Sequence, residues 1–225
     1  MSSDIRTKAL VLRRTNYGES DRILHLLTES GTVSAIAHSA RKEKSKLAGG
    51  IEMFCLSEVT IKNNKKNATG YITSAKMLKY YHNILADLSR LELASFVLKQ
   101  IWRVAENDAG SGYFNITNQS LAGIDAGFEL PLVEAWFLLN FAKTNGEEIN
   151  LVYDNSGKKL QQDKLYAWNT IDNALELQEQ GNIDANDIKL MRLMLSASLE
   201  LVCHVKDLSC HLPNILYIAK SVNKL

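Results

Sequence analysis

Residues Thr7–Ala40 read TKALVLRRTNYGESDRILHLLTESGTVSAIAHSA. It holds three runs of strand length rich in β-branched and apolar residues, Thr7–Arg14, Arg22–Thr28 and Thr32–His38. NYGES separates the first two and ESG the next two, with Gly18 and Gly31 supplying the backbone freedom of tight turns. Further along, IEMFCLSEVTIK (Ile51–Lys62) reads as a longer strand, NNKKNATG as a polar turn and YITSAKML (Tyr71–Leu78) as a fifth strand. Five short strands within about eighty residues predict a small barrel, because closure removes exposed edges. The five-stranded oligonucleotide/oligosaccharide-binding (OB) type is the usual architecture of this size.

Near Tyr80 the pattern changes. Ala86–Asn107 carries apolar residues at helical spacing, and Ile116–Gly127 and Leu130–Gly146 read as two further helices. The last has Pro131 in its first turn and Gly146 at its C-cap. Ile149–Thr170 is irregular, Asp184–Asp207 reads as one long helix, and Leu212–Asn223 as a short terminal one. The expected class is therefore α+β, with an OB-type barrel over residues 1–79 and an all-helical domain over 80–225. There is no internal repeat or Pro-rich linker, and the two prolines suit units packed directly together.

The net charge of +1 over 225 residues hides a division. Met1–Lys79 contains 14 Lys and Arg against 7 Asp and Glu, net +7, whereas the remainder contains 12 against 18, net −6. A basic barrel joined to an acidic helical part suits a polyanion on the first and protein contacts on the second. No apolar run is long enough to span a bilayer, and the start lacks a secretory signal pattern, so the expected location is the cytoplasm. Three cysteines in such a chain are expected as reduced thiols.

Catalytic patterns are missing from the sequence. It has neither GxxxxGK[ST] nor GxSxG, AGSG (Ala109–Gly112) lacks the flanking elements of a nucleotide loop, and the five histidines fall on different elements; an enzyme is not expected. The pairs Cys203-His204 and Cys210-His211 raise a metal site. On one continuous helix, however, residues seven apart lie about 10.5 Å apart along the axis, too far for one zinc ion. Packing of the cysteine face in the core with Leu199 and Val202 is expected instead, as is core placement of the Met191, Leu193, Met194 and Leu195 stripe.

Cations mark the barrel. Arg13, Arg14, Arg22, Arg41, Lys42, Lys44, Lys46, Lys62, Lys65 and Lys66 form a track of the kind that neutralises phosphates and releases their counterions. Tyr17, Phe54 and Tyr71 fall on or beside the same strands and could stack on unpaired bases. These ten cations with Tyr17 are the candidate nucleic-acid-binding residues. Two other readings share parts of the pattern: an RNA-binding barrel, and a protein adaptor whose barrel cations are merely solvated.

The string ALVLRRTNYGESDRILHLLTESGTVSAIAHSARKEKSKLAGGIEMFCLSEVTI resembles the start of the RecO family of DNA repair and recombination mediators. The resemblance rests on Tyr17–Asp21, Leu26–Thr28, Gly31, the small-and-basic segment His38–Ser45, and Phe54–Leu56, in the family's order; it is architectural beyond about sixty residues. It implies an OB barrel, a helical C-terminal domain, binding to single- and double-stranded DNA, and annealing of complementary strands without a cofactor. It also implies work with RecR, contact with the acidic tail of single-stranded-DNA-binding protein (SSB), and help to RecA filaments. Many members carry a four-cysteine zinc site inserted among the C-terminal helices, where this chain has GEEINLVYDNSGKKLQQDKLYAWN (Gly146–Asn169) with no cysteine, so the resemblance implies no zinc site here. Arg90, Lys99, Arg103, Lys143 and Arg192 are the candidate cations for the acidic tail.

Overall fold

Alternating side chains extend the first strand beyond its β-rich centre: β1 runs Asp4–Tyr17, followed by β2 (Asp21–Thr28), β3 (Gly31–Ala37), β4 (Cys55–Lys62) and β5 (Gly70–Tyr80). The computed structural model describes residues 4–62, 69–105 and 112–225, in two compact units, Met1–Asp125 and Ala126–Leu225. The five strands close into a barrel in the order β1-β2-β3-β5-β4, an OB topology. All neighbours are antiparallel except β3 and β5, which meet in parallel at Ala35 with Gly70 and Ile36 with Tyr71. The β1–β2 and β2–β3 turns use Gly18 at φ 55° and Gly31 at φ 128°, the left-handed region where a side chain is strained.

Ala9, Val11, Leu24, Leu26, Ala35, Val59, Ile61 and Ile72 fill the interior, small alanines facing larger aliphatics. A bulge between Val11 and Arg13 shifts the phase of β1. Beyond it Arg14 pairs with the inward Leu24, and Arg13 pairs with His25 on the outer face. The expected strand from Ile51 begins four residues later. Ala48–Gly50 form a 3-10 turn, Ile51 is wholly buried in the barrel core, and Phe54 at φ 58° breaks the extended path. A left-handed phenylalanine costs about 1–2 kcal/mol, offset here by burial of its ring.

Two helices complete the first unit: α1 (Leu88–Ala105) and α2 (Gly112–Ala126), the latter belonging to this unit through Asp125. Helix α1 packs on β1 and buries Ala94, Val97, Leu98 and Ile101. Tyr81 donates to Asn118 Oδ1 at 2.7 Å, and burial pushes its phenol up to about 12. The Asn83 N–H donates to Asp125 at 3.0 Å. The strands thus end at Tyr80, while the compact unit continues into these helices.

The second unit comprises α3 (Leu130–Thr144), β6 (Tyr166–Asn169), β7 (Ala174–Leu177), α4 (Ala185–Ser196), α5 (Leu199–Val202) and α6 (Leu208–Val222). Helix α3 is apolar nearly all round and buries Val133, Trp136, Phe137, Leu138 and Leu139; Pro131 lies in its first turn. The domain is mainly helical but not all-helical: β6 and β7 form an antiparallel ribbon within and beyond the stretch read as irregular. The predicted helix Asp184–Asp207 is also broken, with Ala197 extended at φ −115°. Side chains of α3 support the break by binding carbonyls that α4 frees at its end. Trp136 Nε1 donates to Ala197 O at 3.2 Å and Asn140 Nδ2 to Met194 O at 3.0 Å.

This break removes the basis of the cysteine reading. Cys203 is half-buried beyond α5 and Cys210 is exposed on α6, so only Leu199 and Val202 of that face lie in the core. Among the described residues no helix is long and apolar enough to cross a membrane.

Candidate nucleic-acid interface

The basic segment after β3 is a lid fastened across one end of the barrel. Ala40 and Ile51 are buried in the barrel core, and Leu47 and Met53 pack against it. Between these anchors Arg41, Lys42, Lys44 and Lys46 stand exposed. Backbone bonds fix the path: Arg41 N–H to Ser20 O at 2.9 Å, Lys42 N–H to Ser39 O at 3.2 Å and Ser45 N–H to Lys42 O at 2.9 Å. The Arg41 guanidinium donates to Gly18 O at 3.3 Å, tying the lid to the β1–β2 turn.

Asp21 is the hinge of this attachment. It accepts the Ser39 N–H at 2.7 Å and lies 2.6 Å from His38 Nδ1. Ser39 at φ 54° aims its N–H at the carboxylate. That backbone bond first, and the His38 ring second, hold the Asp21 carboxyl below its ordinary range. A depressed folded value contributes stability above the unfolded value of about 3.9, which is lost as pH falls through the folded value. Asp21→Asn should therefore lack stability that wild type has above about pH 4, and the gap between the two proteins should close as pH falls below that value. Urea midpoints from pH 3 to 7 would test this, and parallel curves for the two proteins would refute it.

The predicted residues separate into three groups. On the outer face, the Arg13 guanidinium lies 5.8 Å from the centre of the Trp102 ring on α1, and His25 lies 4.6 Å from the same ring. At the lid end of the barrel, Arg14 and Arg22 both engage Glu52, Arg22 Nη1 at 3.1 Å. Around the lid stand Arg41, Lys42, Lys44, Lys46 and the exposed Tyr17 at the end of β1. Lys62 joins this third group through register: it pairs with Tyr71, whose ring stacks on His38 at 5.1 Å and 22°. Lys65 and Lys66 lie outside the described residues.

Phe54 is buried and unavailable for base stacking. His38, Asp21 and Glu52 were missed as parts of the site, since only cross-strand register and the lid's return bring them together. An Ala-His-Ser sequence at the end of an apolar strand was the sole local signal.

In the second unit, Lys143 and Arg192 line one cavity of about 530 Å³ with Ile149, Leu151, Val152 and Leu195. Arg192 Nε donates to Leu151 O at 3.1 Å, and Lys143 pairs with Glu148 at 3.2 Å. Asp184, Asp187 and His211 bring potential ligand atoms within 4.8 Å of one another. Their hydrogen bonds already serve structure. Asp184 and Asp187 form the capping box of α4, and Asp187 joins His211 at 2.7 Å and Asn214 at 3.1 Å on α6.

Residues 1–81 match the family model described as Recombination protein O N terminal. The DNA repair protein RecO of Dehalococcoides mccartyi strain CBDB1 is 29% identical over 211 residues, covering 90% of this chain and 83% of that protein. The RecO of strain ATCC BAA-2266 of the same species is 32% identical over 145 residues, 64% and 56% of the two chains. The RecO of Desulfosudis oleivorans is 34% identical over 122 residues, 53% and 47% of the two.

Proposed function

Since the chain belongs to the RecO family of DNA repair proteins, we propose that its five-stranded barrel binds the backbones of single- and double-stranded DNA. The observation that carries this reading is the fastening of Arg41, Lys42, Lys44 and Lys46 across one barrel end, beside Lys62, Tyr71 and Tyr17. Exposed cations on an anchored backbone hold their spacing, so phosphates meet a preorganised track. Tyr17 and the His38–Tyr71 stack offer aromatic faces to unpaired bases. Two strands bound on one basic surface repel each other less and pair faster. No covalent step, cofactor or metal ion is needed.

The helical remainder serves docking in this reading. The cavity of Lys143 and Arg192 combines cations with apolar walls, the chemistry that suits the acidic tail of SSB. Through that contact, and with RecR, the protein assists RecA loading on coated DNA in the cytoplasm. The test is strand annealing across a salt series, with naked and SSB-coated strands, beside equilibrium binding to DNA and RNA of equal length. Expected are annealing of both substrates and affinity that falls steeply with salt. Preference for RNA would favour the RNA-binding reading, and no salt-dependent binding would leave the barrel cations as solvated surface.

A further inference from the structure

At the lid end of the barrel one carboxylate joins two arginines. The bulge in β1 turns Arg14 to the inner side, opposite Leu24, and Arg22 lies two residues before Leu24 on that same side. Glu52 descends between them from the lid, held by the buried Ile51 before it and the core-packed Met53 after it. Its Oε2 meets Arg14 Nη1, and its Oε1 accepts from Arg22 Nη1 at 3.1 Å. Two oxygens of one anion, each on a different guanidinium, reproduce what the two non-bridging oxygens of a phosphodiester would present. The carboxylate leaves the seat unsaturated, because Arg22 Nε is buried with no hydrogen-bond partner among the described residues. Glu52 itself remains 39% exposed, and Arg14 36%, so an incoming anion can reach them.

We propose that Glu52 is a built-in competitor of DNA: it occupies a two-arginine phosphate seat at the barrel end, and a backbone phosphate must displace it to bind there. This rests on the DNA-binding reading and adds its regulation. With Glu52 seated, Arg14 and Arg22 contribute little to affinity, and the exposed lid cations make the first encounter. Displacement then adds a phosphate contact and frees Glu52 toward solvent. Short-lived contacts are thereby kept weak, while a strand that reaches both lid and seat is held.

The test is fluorescence anisotropy of a labelled oligothymidine with wild type, Glu52→Gln and Glu52→Asp across a salt series. Glu52→Gln is expected to bind about three- to tenfold more tightly, the range set by removing one or two exposed ion pairs from competition. Its log–log salt slope should steepen by about 0.7, one additional phosphate on a single strand. Glu52→Asp keeps the charge, but its shorter reach holds one guanidinium, so it too should bind more tightly at unchanged net charge. This second variant carries the test if the glutamine variant fails to fold. Glu43→Gln, also on the lid but exposed, should change affinity less than Glu52→Gln. Equal gains from Glu43→Gln and Glu52→Gln, or no gain from Glu52→Asp, would reduce the effect to overall charge or remove it, and overturn the seat while wild-type binding stands. Absence of salt-dependent binding by wild type would instead remove the DNA reading and the seat together.

Discussion

Replacement of Arg41, Lys42, Lys44 and Lys46 together by alanine is expected to weaken binding to single-stranded oligonucleotides of any sequence on the order of 10²-fold at about 0.1 M salt. Each phosphate neutralised on a single strand adds about 0.7 to the log–log salt slope, so four lost contacts should flatten it by up to about 3. The barrel should survive the change. The four side chains are exposed, and the lid is held by Ala40, Leu47, Ile51 and backbone bonds that alanine retains. Circular dichroism should thus match wild type while titration in two salts does not. Unchanged affinity and slope would move the DNA contacts off the lid.

The second large effect is structural. A Cβ on Gly50 would lie 2.5 Å from Ala75 O and 2.6 Å from Ala75 C, inside any tolerable contact. Both partners are backbone, and Ala75 is fixed in β5 opposite the buried Val59. The 3-10 turn must then lift away from β5, taking Ile51 from the core and Glu52 from its arginines. Gly50→Ala is expected to destabilise by about 2–3 kcal/mol, the upper part of the range for overpacking. In a unit of this size that lowers Tm by roughly 5–12 °C. Gly49→Ala supplies the contrast: its Cβ would meet only Met77 Cε at 3.9 Å, an ordinary contact at the end of a flexible side chain. That variant should match wild type or gain a few tenths of a kcal/mol, about what reduced unfolded-state freedom allows. Equal melting of the two variants would refute the close approach.

Most of the barrel was legible because its signals are local. Strand alternation, Gly18 and Gly31 at turns that need positive φ, and the basic run after the third strand all act within a few residues of the chain. Where local and distant demands conflict, the distant ones prevail. Ile51–Phe54 has strand composition, yet Ile51 is needed to plug the barrel end and Phe54 turns left-handed before β4. Asp184–Asp207 has helical periodicity, yet Trp136 and Asn140 stabilise a break by taking the carbonyls at Ala197 and Met194.

Periodicity and composition express themselves without distant partners, so the OB-type barrel, its basic charge and the position of the basic segment can be read from the chain alone. Which cations work together depends instead on strand pairing and on the lid's return. The β1 bulge sends Arg13 to Trp102 and Arg14 to Glu52, although the two arginines are adjacent in the chain. Register sets Lys62 beside Tyr71, and the lid's return brings His38 onto that ring and Glu52 between Arg14 and Arg22. A strand's side chains alternate faces, so a single inserted residue reassigns every cation beyond it, and that shift is visible only once the neighbouring strand is paired.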